Sequence, residues 1–131
     1  MSRPLEPRER ALLDFLLTRD FPGAAELRSQ AHSVRTSGLT CTCSCPSFSL
    51  HADRSLAPAA VTESMPSDAY GTDPDGNLIG VLLVVEAGYL SDGEIYGIEG
   101  DVSGALPAPV NLRLSEWSSP DDSETHRLLN P

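Results

Sequence analysis

DPDGNLIGVLLVVEAGYLSDGEIYGI, residues 73–98, decides the fold. Within it, Leu78 to Val85 is the longest apolar run in the chain, and its β-branched Ile79, Val81, Val84 and Val85 suit a pleated surface. Both parities are apolar: Leu78, Leu82 and Val84 on one, Ile79, Val81, Leu83 and Val85 on the other. A strand of that kind is expected at the centre of a sheet, covered on both faces. It is far short of the roughly 20 residues that a membrane span needs. Ala87-Gly88 is a turn signal, and Tyr89 to Ile98 returns as a second strand in which Ile95 and Ile98 are apolar. Tyr96 can pack its ring there and keep its hydroxyl wet. The whole reads as a long hairpin with an irregular connection. Asp73-Pro74-Asp75-Gly76 ahead of it is a turn, with proline presetting one angle and glycine supplying the permissive one.

N-terminal to the hairpin the period is helical. Pro7 suits a first helical residue, where its missing N–H costs nothing. Leu12, Leu13, Leu16 and Leu17 form one apolar stripe, and Arg8, Glu9, Arg10, Asp14 and Arg19 take the other sides. Pro22 disfavours helix at Phe21 and so ends this element. A second helix is expected from Pro22 to about His32, with Ala24, Leu27 and Ala31 on one face. From Ser33 the pattern becomes extended. Val34-Arg35-Thr36 is a short strand, Leu39 to Cys45 alternates, and Phe48 and Leu50 resume on the other parity after Pro46. Ser64 to Tyr70 reads as a weak strand, limited to a sheet edge by Pro66. These segments give an α+β fold: two N-terminal helices packed on an antiparallel sheet of four to five strands, with an irregular C-terminal tail. Residues 1–102 are expected to form a single domain. Residues 103–131 are expected to be a proline-rich tail, either with a short, weakly held helix starting at Ser119-Pro120 or disordered. Leu12, Leu16, Leu27, Phe48, Leu82 and Val84 are expected to be buried together.

The chain has 131 residues, enough for one domain that buries about two-thirds of its unfolded surface. Nineteen acids oppose nine bases, all of them Arg, for a net charge of −10. The charge is uneven: residues 1–35 hold six Arg and five acids, whereas residues 55–112 hold nine acids and no Arg. That sign repels nucleic acid and anionic membrane and attracts a basic protein partner. No secretory signal or membrane span is legible, and the three cysteines do not read as a disulfide framework. A cytoplasmic protein is expected.

CTCSCP, Cys41 to Pro46, with His51 beyond it, is the motif with the most chemistry in it. Cys41, Cys43, Cys45 and His51 are a tetrahedral zinc set by residue type. Against that, alternate side chains of a flat strand stand roughly 6–7 Å apart. The primary expectation is therefore no metal and no cofactor, with a thiolate zinc site as the alternative. Asp73, Asp75 and Asn77 open like a calcium loop, but the position that needs a bidentate Glu is Val84. Glu86, Glu94 and Glu99 read as a solvated strand face, with a glycosidase-like carboxylate pair as the weaker reading. His32, His51 and His126 lack a neighbouring nucleophile pattern, and there is no nucleophile elbow, P-loop or dinucleotide fingerprint. No enzyme is expected. Asp92, Glu94, Glu99, Tyr89 and Trp117 are the candidate partner-binding residues.

DFPGAAELRSQ (residues 20–30), CTCSCPSFSL (41–50) and GYLSDGEIYG (88–97) together resemble a set of small actinobacterial proteins of unassigned function. The resemblance covers about residues 8–100. It implies an α+β domain and carries over no catalytic residue. Gly93 departs from it, standing where that pattern has an apolar residue. The function expected is a small, acidic, non-enzymatic protein-binding or regulatory module, one version being an immunity-type protein that masks a basic toxin.

Overall fold

The computed structural model describes residues 2–38 and 45–115. Helix α1 spans Pro7–Leu16 and buries Leu12, Leu13 and Leu16. Its start is fixed by Glu9, which accepts from the Glu6 N–H at 2.8 Å and from both terminal nitrogens of Arg3 at 2.8 and 3.0 Å. Helix α2 spans Ala24–Ala31. It begins later than Pro22 because Gly23 takes a left-handed φ of 92°, and a Cβ there would lie 2.9 Å from Val61 Cγ1. Each helix receives a cation from the other at its negative end. Arg28 donates to the Leu17 and Arg19 carbonyls at 2.8 and 3.0 Å, and Arg10 donates to the Ala31 carbonyl.

Strands β1 (Arg3–Pro4) and β2 (Arg35–Thr36) form a small antiparallel pair. The main sheet has five antiparallel strands in the order β3-β6-β5-β4-β7. They are β3 (Phe48–Ser49), β4 (Ser67–Thr72), β5 (Leu78–Glu86), β6 (Tyr89–Gly97) and β7 (Leu112–Leu114). The expected hairpin is β5–β6, at the middle of the sheet. Its connection is a tight Ala87-Gly88 turn with positive φ at both residues, 53° and 86°, as a two-residue turn of type I′ requires. The expected irregular connection is therefore absent. The irregularity lies one step earlier, as a register shift between Val84 and Val85. β4 is interior, paired with β5 and β7, so the expected edge strand is a correction: Pro66 precedes the ladder and removes no bond from it. β7 carries the sheet past residue 102, where a tail was expected.

The two described helices pack on one face of this sheet. Leu12, Leu16, Leu27, Phe48, Ile79, Val81, Leu83, Leu90 and Ile95 share one core. Two members of the expected core group are thereby corrected. Leu82 and Val84 point to the other face and are half-buried, because the parity of Ile79, Val81, Leu83 and Val85 is the one turned to the helices. Gly93 is accounted for as well. The Phe48 ring fills its place, with Cζ 2.8 Å from where a Cβ would be. Pro46 has no N–H to donate, and β3 does not extend to it. Ser47 substitutes, its Oγ accepting from the Ile95 N–H at 2.8 Å and donating to the Ile95 carbonyl at 3.3 Å. Buried Gln30 ties α2 to the β5–β6 turn, donating to the Ala57 and Gly88 carbonyls and accepting from the Leu90 N–H. The alternating segment at Leu39 to Ser44 and the expected helix after Ser119 lie outside the described residues.

Candidate functional site

The face of the sheet turned away from the helices is where the polar and apolar surface combine unusually. Strand pairing sets its rows. Tyr96, Gly80, Tyr70 and Arg113 form one row across β6, β5, β4 and β7. Glu94, Leu82 and Asp68 form the next, and Ser49, Asp92 and Val84 the one after. Leu78 lies opposite Thr72 on the other side of the tyrosine row. Four of the six exposed large apolar side chains among the described residues belong to this side: Tyr70, Leu78, Tyr96 and, just past the end of β6 on the same parity, Ile98. Leu82 and Val84 fill the middle of the strip. An exposed apolar patch with a polar rim is the ordinary mark of an interaction surface.

The rim is mainly acidic. Glu94 is exposed, and its side chain has no hydrogen bond or ion pair among the described residues. Asp92 is half-buried and accepts from Ser91 Oγ at 3.0 Å. Asp68 sits 3.8 Å from Arg19, and burial pushes its carboxyl up while the guanidinium opposes the shift without cancelling it. Arg113, beside Tyr70, is the one cation within these rows.

The remaining candidates fall elsewhere. Tyr89 donates its hydroxyl to the Leu56 and Arg54 carbonyls at 2.9 and 3.2 Å, and the Arg54 guanidinium lies 4.4 Å above its ring. It fastens the 53–59 connection to the end of the hairpin. Glu99 is exposed in the turn after β6. Trp117, Cys41 and Cys43 lie outside the described residues. Cys45 is half-buried, and His51 is exposed with its Nε2 2.9 Å from Ser37 Oγ and 3.4 Å from Ser49 Oγ. Among the described residues no group of three His, Cys, Asp or Glu side chains is arranged to hold a metal ion. Glu86 stands at the hairpin end opposite Tyr89, whereas Glu94 is in mid-strand opposite Leu82. That places them about four residues apart along the ladder, roughly 13 Å, too far for a retaining carboxylate pair. An apolar groove of about 480 Å³ lies at the start of α1, between Pro7, Ala11, Pro74, Leu106 and Pro109, and neither glutamate lines it.

Among the described residues no helix is long and apolar enough to cross a membrane. Tyr70, Leu78, Leu82, Val84 and Tyr96, which make up this open face, are not among the partner-binding candidates of the sequence. The available signal is the doubly apolar strand itself, which is equally compatible with cover on both faces and with one open face. No family model matches the chain, and no curated protein or solved structure matches it.

Proposed function

We propose that the protein is a non-enzymatic binding module that takes a basic protein partner on the open face of its sheet. The observation that carries this reading is the exposure of Tyr70, Leu78 and Tyr96 on one face, beside half-buried Leu82 and Val84 and edged by Asp92 and Glu94. Apolar area supplies affinity and the carboxylates supply sign. A second copy of this chain is disfavoured as the occupant, because two molecules of net charge −10 would bring like rims together. Nucleic acid is disfavoured for the same reason. Masking of a basic toxin is one concrete form of this function.

The test isolates and identifies a partner, then follows association of the two purified proteins. The rate should fall as salt shortens the screening length, and Asp92→Asn/Glu94→Gln should lower it at low salt. Tyr96→Ala should raise the dissociation rate. A partner whose kinetics respond to neither salt nor these substitutions would place binding elsewhere and reject the reading.

A further inference from the structure

The seat of Tyr96 narrows the chemistry of the partner. Gly80 lies directly opposite Tyr96 in the ladder. A Cβ on Gly80 would stand 2.2 Å from Tyr96 Cζ and 2.3 Å from its hydroxyl oxygen. The ring therefore lies across the strand in the space that glycine leaves empty, instead of standing up from the sheet. One face of the ring is turned to the Gly80 backbone, and the residue remains 44% exposed. Glu94 precedes it on the same face of β6, about 6–7 Å away along the strand. Leu82, next along β5 from Gly80, is paired with Glu94, and Leu78 flanks Gly80 on the other side.

We infer that the anchoring group of the partner is an arginine, laid flat on the Tyr96 ring with its guanidinium edge turned to Glu94. This rests on the reading of the open face as a docking surface. A guanidinium is planar and weakly hydrated, so it stacks on an aromatic face and still presents a fork of N–H groups to a carboxylate in its own plane. Its methylene stem packs on leucine, here Leu82 or Leu78, while the head stays at the rim. A lysine ammonium is a compact, strongly hydrated charge with no plane to stack, and it gains from Glu94 but little from Tyr96. Gly80 is a positioning residue in this scheme, since any larger side chain lifts the ring from its seat.

The experiment uses the full chain and two probes of equal charge, an arginine nonapeptide and a lysine nonapeptide, titrated calorimetrically at low salt. The arginine peptide should bind about two- to five-fold more tightly, the span of an exposed cation–aromatic contact. Tyr96→Leu keeps an apolar side chain and should bring the two affinities together, and Gly80→Ala should do the same by displacing the ring. Tyr96→Phe should keep the preference. Circular dichroism confirms the fold of each variant, and Tyr96→Leu decides the matter should Gly80→Ala fail to fold. Equal affinities in the wild type, or an arginine preference that survives Tyr96→Leu, would overturn the inference while salt-dependent binding of both peptides kept the docking surface. Binding of neither peptide at low salt would overturn both.

Discussion

Asp73 shows how one side chain joins distant parts of this chain. Only 4% exposed, it accepts from the backbone of Asp75 at 3.0 Å, from the backbone and side chain of Asn77 at 2.9 and 3.0 Å, and from the Ser103 N–H at 2.7 Å. Burial pushes its carboxyl up, and these donated bonds outweigh that and hold it below the ordinary carboxylate value. A carboxyl whose folded pKa is depressed stabilises the fold above its unfolded pKa, near 4, and that contribution is lost as pH falls through the lower folded value. The thermal midpoint of the wild type should therefore drop as pH is taken from about 5 to below 3, and Asp73→Asn should start lower and drop less over the same window. Glu9, depressed by Arg3 against its own burial, titrates in the same direction. The informative quantity is thus the difference between wild type and variant at each pH. Equal slopes for the two would show that Asp73 is not the group responsible. Residues 73–77 are legible as a turn in sequence because the pattern is local. The bond to Ser103 is not, because nothing in a single sequence links positions 30 apart.

At the scale of elements, β5 is where local pattern reaches its limit. A run apolar on both parities identifies a central strand and leaves open which face meets the helices. Only the ladder decides, and the register shift at Val84/Val85 leaves Ser91 unpaired with β5 and changes the phase of β6, so that Leu90 and Ile95 both face the core. The cost of truncation should follow the ladder. Leu83 is fully buried in the core and Leu82 is half-exposed on the open face of the sheet. Leu83→Ala should cost about 2–5 kcal/mol, and Leu82→Ala well under half of that. Urea unfolding reads this as a large shift in midpoint for the first variant and a small one for the second, at unchanged slope. The reverse order would mean that the strand faces are assigned the wrong way round. The start and the buried leucine stripe of helix α1 are legible, but its end is not: it stops at Leu16, with Leu17 as its cap, short of the stop expected before Pro22. The start of α2 is not legible either, because the left-handed Gly23 is required by Val61, a tertiary neighbour.

For the whole molecule, the question is where the domain ends. Composition places the boundary near residue 102, since Pro107 and Pro109 break every local pattern. The ladder places it later. Leu112 is 6% exposed in the core, Pro107 is fully buried, and β7 pairs with β4 from Leu112 to Leu114. The Ser115 N–H donates to the Asp68 carbonyl, and Arg19 donates to the Ser115 carbonyl. β7 thus occupies the outer edge of β4 and, with Ser115, is tied to the segment after α1. A three-residue strand has too little pattern to be seen in sequence, and its prolines argue against it locally, although they sit outside the paired residues. Ending the chain at Val102 would bare the β4 edge, expose Ala69 and remove the Ser103 bond to Asp73. A chain ending at Val102 should therefore unfold at a lower temperature than one ending at Ser115 and aggregate more readily. Because Tyr70 lies in the strand that β7 holds, the shorter chain should also bind the proposed basic partner less tightly. Equal thermal midpoints for the two chains would return the boundary to residue 102. Unequal midpoints with equal binding would confine the docking surface to β5 and β6.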